Sequence, residues 1–273
     1  MIGVFDSGLG GLTALWELRR LRPDLDVVYF GDTAHVPYGT RSPEMIRRFA
    51  EEAIDFLSGL GAEAILVACG TVSSVVLPDL RARTACPVFG VVEPAAQAAY
   101  RASRSKHIGI LATEATVRSR AFEEALRAIG PVATRSVACP LFVSLAENGF
   151  TAPDDPVARA AAEYYLAPLR GSDLDTLILG CTHFPLLAAH IHRALPHARL
   201  IGAGEEAAAA LVGTLPRVGH GELTVYASDA PDRFETTAAR ILGTALPVHV
   251  QKYTPRRMRI PADRYTDTIR KRN

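Results

Sequence analysis

Lysine is almost absent from this sequence. It occurs only at Lys106, Lys252 and Lys271, and arginine supplies nearly all the other basic side chains. Lys106 lies in a polar connector and the other two fall near the end, so no buried lysine is on offer for a Schiff base. Pyridoxal-phosphate chemistry is therefore not expected. Cysteine is scarce too: 4 in 273 residues do not make a disulfide framework and point to a reducing cytoplasm. No stretch approaches the roughly 18 uninterrupted apolar residues of a membrane span. Residues 1–6 show neither a cationic leader nor a secretory apolar run, so neither membrane nor export is expected. Neither sign of charge dominates, since 30 Lys+Arg against 29 Asp+Glu leave a formal net charge of +1. No global field recruits nucleic acid.

What is present is regular alternation. Short apolar runs at 2–5, 27–30, 64–68 and 87–92 are separated by helix-period segments at 12–22, 43–59 and 75–83. The pattern resumes with runs at 108–111, 132–137, 176–179 and 199–201. An alanine-rich helix at 205–214, a strand at 222–228, a helix at 232–242 and a strand at 248–250 follow. Strand–helix alternation implies an α/β protein with mostly parallel sheets flanked by helices.

The chain also repeats itself. IGVF at 2–5 resembles IGIL at 108–111, and AILVACGT at 64–71 resembles TLILGCT at 176–182. VFGVVEPAA at 88–96 resembles LIGAGEEAA at 200–208, and the interval from Cys69 to Gly90 equals that from Cys181 to Gly202. So long a period is no solenoid; it reads as two similar α/β lobes. The first takes residues 1–97 and 207–255, the second 98–206, and a basic tail occupies 256–273. A pseudo-two-fold relation between the lobes brings Cys69 and Cys181, each at a strand end, to a shared interface cleft. Open α/β sheets bind ligands beyond the carboxyl ends of their strands.

Two thiols in one cleft suit proton transfer at a carbon acid, which needs a base on one face and an acid on the other. A thiol of pKa ~8.5 is lowered by a helix N-terminus, and each of these cysteines precedes a turn into a helix. Asp6 ends the first strand and is placed to reach Cys69; its repeat counterpart is Ala112, so the two halves are chemically unequal. His183, two residues after Cys181, is placed to trade a proton in the second half. Cys86 and Cys139 precede prolines and have no repeat partner, so packing is expected of them. GLGGLT at 8–13 lacks the third glycine of a dinucleotide loop. His183, His190, His192 and His197 crowd one segment without H-E-x-x-H spacing; no metal site is expected, and the last three are expected to face solvent. The polar loop at 31–42, with Tyr38 and Gly39, is placed to close over a small ligand.

Five segments carry a family resemblance: GVFDSGLGGLT at 3–13, FGDTAHVPYG at 30–39, VACGT at 67–71, ACPLFV at 138–143 with Glu147 beyond it, and LILGCTHFPLL at 177–187. In this order, and over nearly the whole chain, they resemble the glutamate racemases of the aspartate/glutamate racemase superfamily. The resemblance implies that superfamily's fold and a cytoplasmic homodimer that interconverts L- and D-glutamate for peptidoglycan without cofactor or metal. It implies Cys69 and Cys181 as paired bases, Asp6 assisting Cys69, and Glu147 and His183 assisting Cys181. Glutamate would contact Asp6, Ser7, Tyr38, Gly39, Gly70, Thr71, Thr182 and His183. His183 after the second Cys-Thr is similar to the glutamate branch rather than the aspartate branch. Three positions depart from the family pattern: Gly70 stands where Asn is usual, residues 202–204 replace an Asp-Ser, and Ser144 stands where Pro is common. An Asn at 70 is expected to tighten glutamate binding. The same residues also fit a racemase of another small acid such as aspartate, a non-catalytic binder, or a thiol redox protein; Cys69, Cys181, Asp6, Glu147 and His183 together favour the enzyme.

Overall fold

The structure is a computed structural model that describes residues 1–214, 219–247 and 249–253. The basic tail expected at 256–273 and the first residue of the strand expected at 248 lie outside the described residues. The chain opens with β1 (Ile2–Asp6), α1 (Leu12–Leu21), β2 (Val27–Gly31), α2 (Pro43–Gly59) and β3 (Ala64–Val67). It continues through α3 (Gly70–Val75), α4 (Leu77–Arg83), β4 (Val88–Phe89), α5 (Val92–Ala102) and β5 (His107–Ala112). Next come α6 (Glu114–Ser119), α7 (Ala121–Ile129), β6 (Ala133–Ala138), α8 (Pro140–Glu147), α9 (Pro156–Leu166) and β7 (Thr176–Leu179). The remainder is α10 (Ala188–Ala194), β8 (Arg199–Gly202), α11 (Ala203–Val212), β9 (Leu223–Ala227), α12 (Pro231–Leu242) and β10 (Val250–Lys252).

Two sheets result, ordered β10-β9-β2-β1-β3-β4 and β6-β5-β7-β8, with every pairing parallel. The run β2-β1-β3-β4 has the same order as β6-β5-β7-β8, the structural form of the sequence repeat. In each the chain order reverses beside the first strand, the kind of switch point where α/β sheets leave a crevice. Asp6 ends β1 and Cys69 lies two residues beyond β3, flanking the first switch point; Ala112 ends β5 and Cys181 lies two residues beyond β7, flanking the second.

Local sequence explains most elements. In α2 the buried residues Ile46, Phe49, Ala50, Ala53, Ile54 and Leu57 recur at helical spacing, so one face enters the core. Ser42 caps its N-terminus by accepting from the Met45 N–H, and Pro43 occupies the first turn, where its missing donor costs nothing. The helix expected at 75–83 forms as α4 and starts two residues late, after a separate short helix, α3, that ends at Val75. Pro78 has no N–H for the Ser74 carbonyl, so it starts a new helix, and Val76 leaves helical geometry (φ −133°). The strand expected at 87–92 shrinks to β4, because α5 begins at Val92.

One core joins the sheets. Ile2, Val4 and Leu66 of the first sheet and Ile108, Ile110 and Ile178 of the second pack into a single cluster with Leu15 of α1, Ala95 and Ala99 of α5, and Ala207 and Leu211 of α11. The alanines let helix and sheet come close. The expected lobe junctions at 97/98 and 206/207 fall inside α5 and α11, both continuous helices of this shared layer. The outer face of the first sheet is covered by α2, and that of the second by α8, α9 and α10. The first sheet is completed late in the chain, where β9 pairs with β2. Beside that pairing, the Thr33 hydroxyl donates to the Asp229 carbonyl (2.6 Å) and accepts from the Asp229 N–H (3.0 Å).

Candidate active site

A cavity of about 730 Å³ opens where the carboxyl ends of the two sheets meet. Ser7, Tyr38, Gly39, Cys69, Gly70, Thr71, Glu147, Cys181, Thr182 and His183 all line it, so the residues singled out from the sequence converge. Asp6 does not reach its surface. It is wholly buried behind the wall, accepting from the Gly8 N–H (3.0 Å) and the Thr182 hydroxyl (3.4 Å). Its carboxyl is pushed up by burial, a shift that the charge of His183 and the Gly11 and Gly8 amides oppose.

The two thiols have different surroundings. Cys69 stands at the N-cap position of α3, with no capping bond from its side chain, and donates to the Ser7 hydroxyl at 3.3 Å. Its thiol is not lowered as the helix start led us to expect. Burial and the Asp6 charge push it up to about 12, against smaller opposing effects of Ser7 and the Val72 amide. Cys181 lies 3.7 Å from His183 Nδ1, and His183 Nε2 lies 3.2 Å from Glu147 Oε1. Burial alone would lower the imidazole, but its hydrogen bonds to Cys181 and Glu147 raise it to about 10. Both contacts favour the imidazolium, which lies between the Glu147 carboxyl and the Cys181 sulfur.

Around the thiols, the Tyr38 hydroxyl donates to Asp32 at 2.6 Å, and Asp32 also holds His35 Nδ1 at 2.8 Å. The Gly39 carbonyl accepts from the Ala115 N–H, tying the expected closing loop to the second sheet's side. Thr71 and Thr113 place their hydroxyls 2.9 Å apart across the cleft. Thr113 also lines the cavity and was not anticipated, although the repeat contained the signal: the register that equates Ile2 with Ile108 equates Ser7 with Thr113. Arg233, Phe234 and Thr237 of α12 form a further wall that no motif announced.

Two expectations are corrected here. An Asn at 70 has no room, because even a Cβ built on Gly70 would overlap the Gly180 carbonyl oxygen. His190 does not face solvent; it is 1% exposed and its Nε2 bonds the Ala152 carbonyl at 2.8 Å. Cys139 is buried and Cys86, half-buried, packs against the core beneath α2, as expected of both. Among the described residues, no cluster of His, Cys, Asp and Glu has the geometry to hold a metal ion, and no helix is long and apolar enough to cross a membrane.

With the geometry established, similarity to known proteins defines the class. The family described as Asp/Glu/Hydantoin racemase matches residues 16–211, and the chain belongs to it. It is thus an amino-acid racemase, an isomerase. Within that family its relatives are glutamate racemases. That of Aquifex aeolicus is 43% identical over 242 residues, covering 89% of this chain and 94% of its own. The crystal structure of a Bacillus anthracis glutamate racemase isoform superposes with a TM-score of 0.87 at 33% identity, over 93% of this chain and 97% of that one. The Francisella tularensis glutamate racemase, solved in complex with D-glutamate, gives 0.85 at 31% identity, with coverage of 93% and 97%.

Proposed function

We propose that the chain interconverts L- and D-glutamate in this cavity, with Cys69 and Cys181 working on opposite faces of the α-carbon. The observation that carries the reading is the meeting, in one cavity, of two buried thiols from equivalent strand ends. The named relatives and the D-glutamate in the Francisella complex support glutamate as the substrate.

The resting site is already asymmetric. His183 sets beside Cys181 the positive charge that a thiolate needs, while Asp6 sets a negative charge behind Cys69. One direction then starts with Cys181 as base and Cys69 as acid. The Cα–H bond breaks to the Cys181 sulfur, and the electron pair is delocalised into the α-carboxylate. The Cys69 S–H proton is then delivered to the other face, leaving a Cys69 thiolate. The other enantiomer runs the same steps backwards from that state. Glu147 orients His183, and Asp6 acts through Cys69 and Thr182 from behind the wall. Ser7, Tyr38, Gly39, Gly70, Thr71, Thr182 and His183 contact the substrate. This reading includes a cytoplasmic homodimer that supplies D-glutamate for peptidoglycan. It also includes a two-lobe division, supported by the drawing of one sheet from 2–89 and 223–252 and the other from 107–202.

Circular dichroism of L-glutamate incubated with the protein, without added cofactor, tests the function. Cys69→Ala and Cys181→Ala are each expected to lose at least about 10²–10⁴-fold in turnover while remaining folded. Near-normal turnover by either variant rules out the two-thiol mechanism. Turnover of L-aspartate with none of L-glutamate rules out the substrate.

A further inference from the structure

The turn between β1 and α1 is braced from behind by β2. Gly8 is held on both sides: its N–H donates to Asp6 at 3.0 Å, and its carbonyl accepts from the Tyr29 hydroxyl at 2.8 Å. Ser7 lies between Asp6 and Gly8 and carries the hydroxyl that accepts from Cys69 at 3.3 Å. Tyr29 is wholly buried on β2, and the Phe234 ring of α12 packs against it with centroids 6.1 Å apart. Burial, then the charges of Asp6 and Cys69, push its phenol well above the usual tyrosine range, so the hydroxyl stays a donor. The equivalent place in the other half is differently filled. Tyr29 pairs with Val4; by the repeat Val4 corresponds to Ile110, whose partner on β6 is Ser136. The Ser136 hydroxyl donates to Glu123 at 2.6 Å. The phenol is therefore a feature of the Cys69 half.

We propose that Tyr29 is a positioning residue for Cys69: through the Gly8 carbonyl it fixes the turn at residues 6–8, and with it the Ser7 hydroxyl that holds the Cys69 sulfur. The inference rests on the two-thiol reading above. Without the phenol hydroxyl the Gly8 carbonyl loses its donor, Ser7 shifts, and the Cys69 sulfur turns away from the α-carbon. Cys181, whose neighbour is His183, keeps its place.

The test reads the two thiols one at a time. Racemisation needs both. Loss of chloride from 3-chloroglutamate needs one: a sulfur takes the α-hydrogen as a proton, the C–H electron pair forms the Cα–Cβ double bond, and chloride leaves. Water then converts the enamine to 2-oxoglutarate and ammonia. The α-epimer whose elimination is lost in Cys69→Ala is the one that Cys69 serves. For Tyr29→Phe, which keeps the ring in its packing, kcat for that epimer and kcat for racemisation are each expected to fall about tenfold. Elimination from the other epimer is expected to stay within about twofold of the parent in kcat. A site that had merely loosened would slow both epimers alike. Equal loss with both epimers, or racemisation within about twofold of the parent, overturns the proposal. If Tyr29→Phe does not fold, Phe234→Leu, which slackens the same ring from the α12 side, carries the test. It is expected to show the same split at about threefold, with the same overturning outcomes. Cys69→Ala in the same assays isolates the underlying reading: racemisation retained there removes the two-thiol mechanism itself, whatever Tyr29 does.

Discussion

Asp6 and His183 give the two thiols opposite electrical company, and each leaves a measurable trace. With Cys69 pushed up to about 12, its alkylation by iodoacetamide in the ligand-free protein is expected to climb roughly tenfold per pH unit from pH 7 to 10, without a plateau. Asp6→Asn removes the negative charge, so Cys69 should be alkylated faster than in the parent at pH 8 even as racemisation slows; slower alkylation contradicts this account. His183 has a folded value of about 10, above its ordinary 6.5. Its stabilising contribution is therefore complete below about pH 6.5 and is lost as pH rises through about 10. Melting curves of the parent and His183→Asn should accordingly differ most near pH 6 and converge above pH 10. The paired cysteines and their neighbours were legible in the sequence because the repeat marks them twice. The raised Cys69 thiol was not, since a sequence shows that a helix begins at Gly70 but not how completely the sulfur is buried. The Gly70–Gly180 contact was hidden for a related reason: it depends on how two distant strand ends are set against each other.

At the scale of elements, the strand runs and helices α1, α2, α4, α11 and α12 followed from apolar period, and the departures have separate physical causes. The helix expected at 75–83 begins only at Leu77, because Pro78 lacks the N–H that would continue α3 and so sits in the first turn of a new helix. β4 is short because its apolar neighbours Val91 and Val92 are buried in the turn and first residue of α5, and apolar character alone does not separate the two states. The junction between α5 and β5 shows what holds a connection in place. Asp175 accepts from the Ser103 hydroxyl (2.6 Å) and from the Arg104 and Ser105 amides (2.7 and 2.8 Å). Despite partial burial, these bonds hold its carboxyl well below the usual range. Asp175→Ala is expected to cost about 1–3 kcal/mol at pH 7 by urea unfolding. Because the folded value is depressed, that contribution is present above about pH 3.8 and fades as pH falls toward the folded value. A cost equal at pH 3 and pH 7 counts against the cap.

At the scale of the whole molecule, the two sheets share one core, so they should melt together. Calorimetry is expected to show a single transition, and Ile110→Ala, in that core, to lower stability by about 2–5 kcal/mol without splitting the transition. Two resolved transitions would mean that the halves fold independently. The repeat made two similar units legible; it did not reveal that α1, α5 and α11 weld them, because alanine-rich helices look alike whether one sheet or two lie against them. The reciprocal bonds between Thr33 and Asp229 link positions 196 residues apart. A ribosome therefore releases both thiols well before it makes the wall of α12 and the edge strands that finish the first sheet. Pairing across so much chain is slow to form, and it must wait for translation to supply the partner. Up to that moment a growing chain carries both sulfurs without a finished chamber, so catalysis must wait until residues 223–252 have been made.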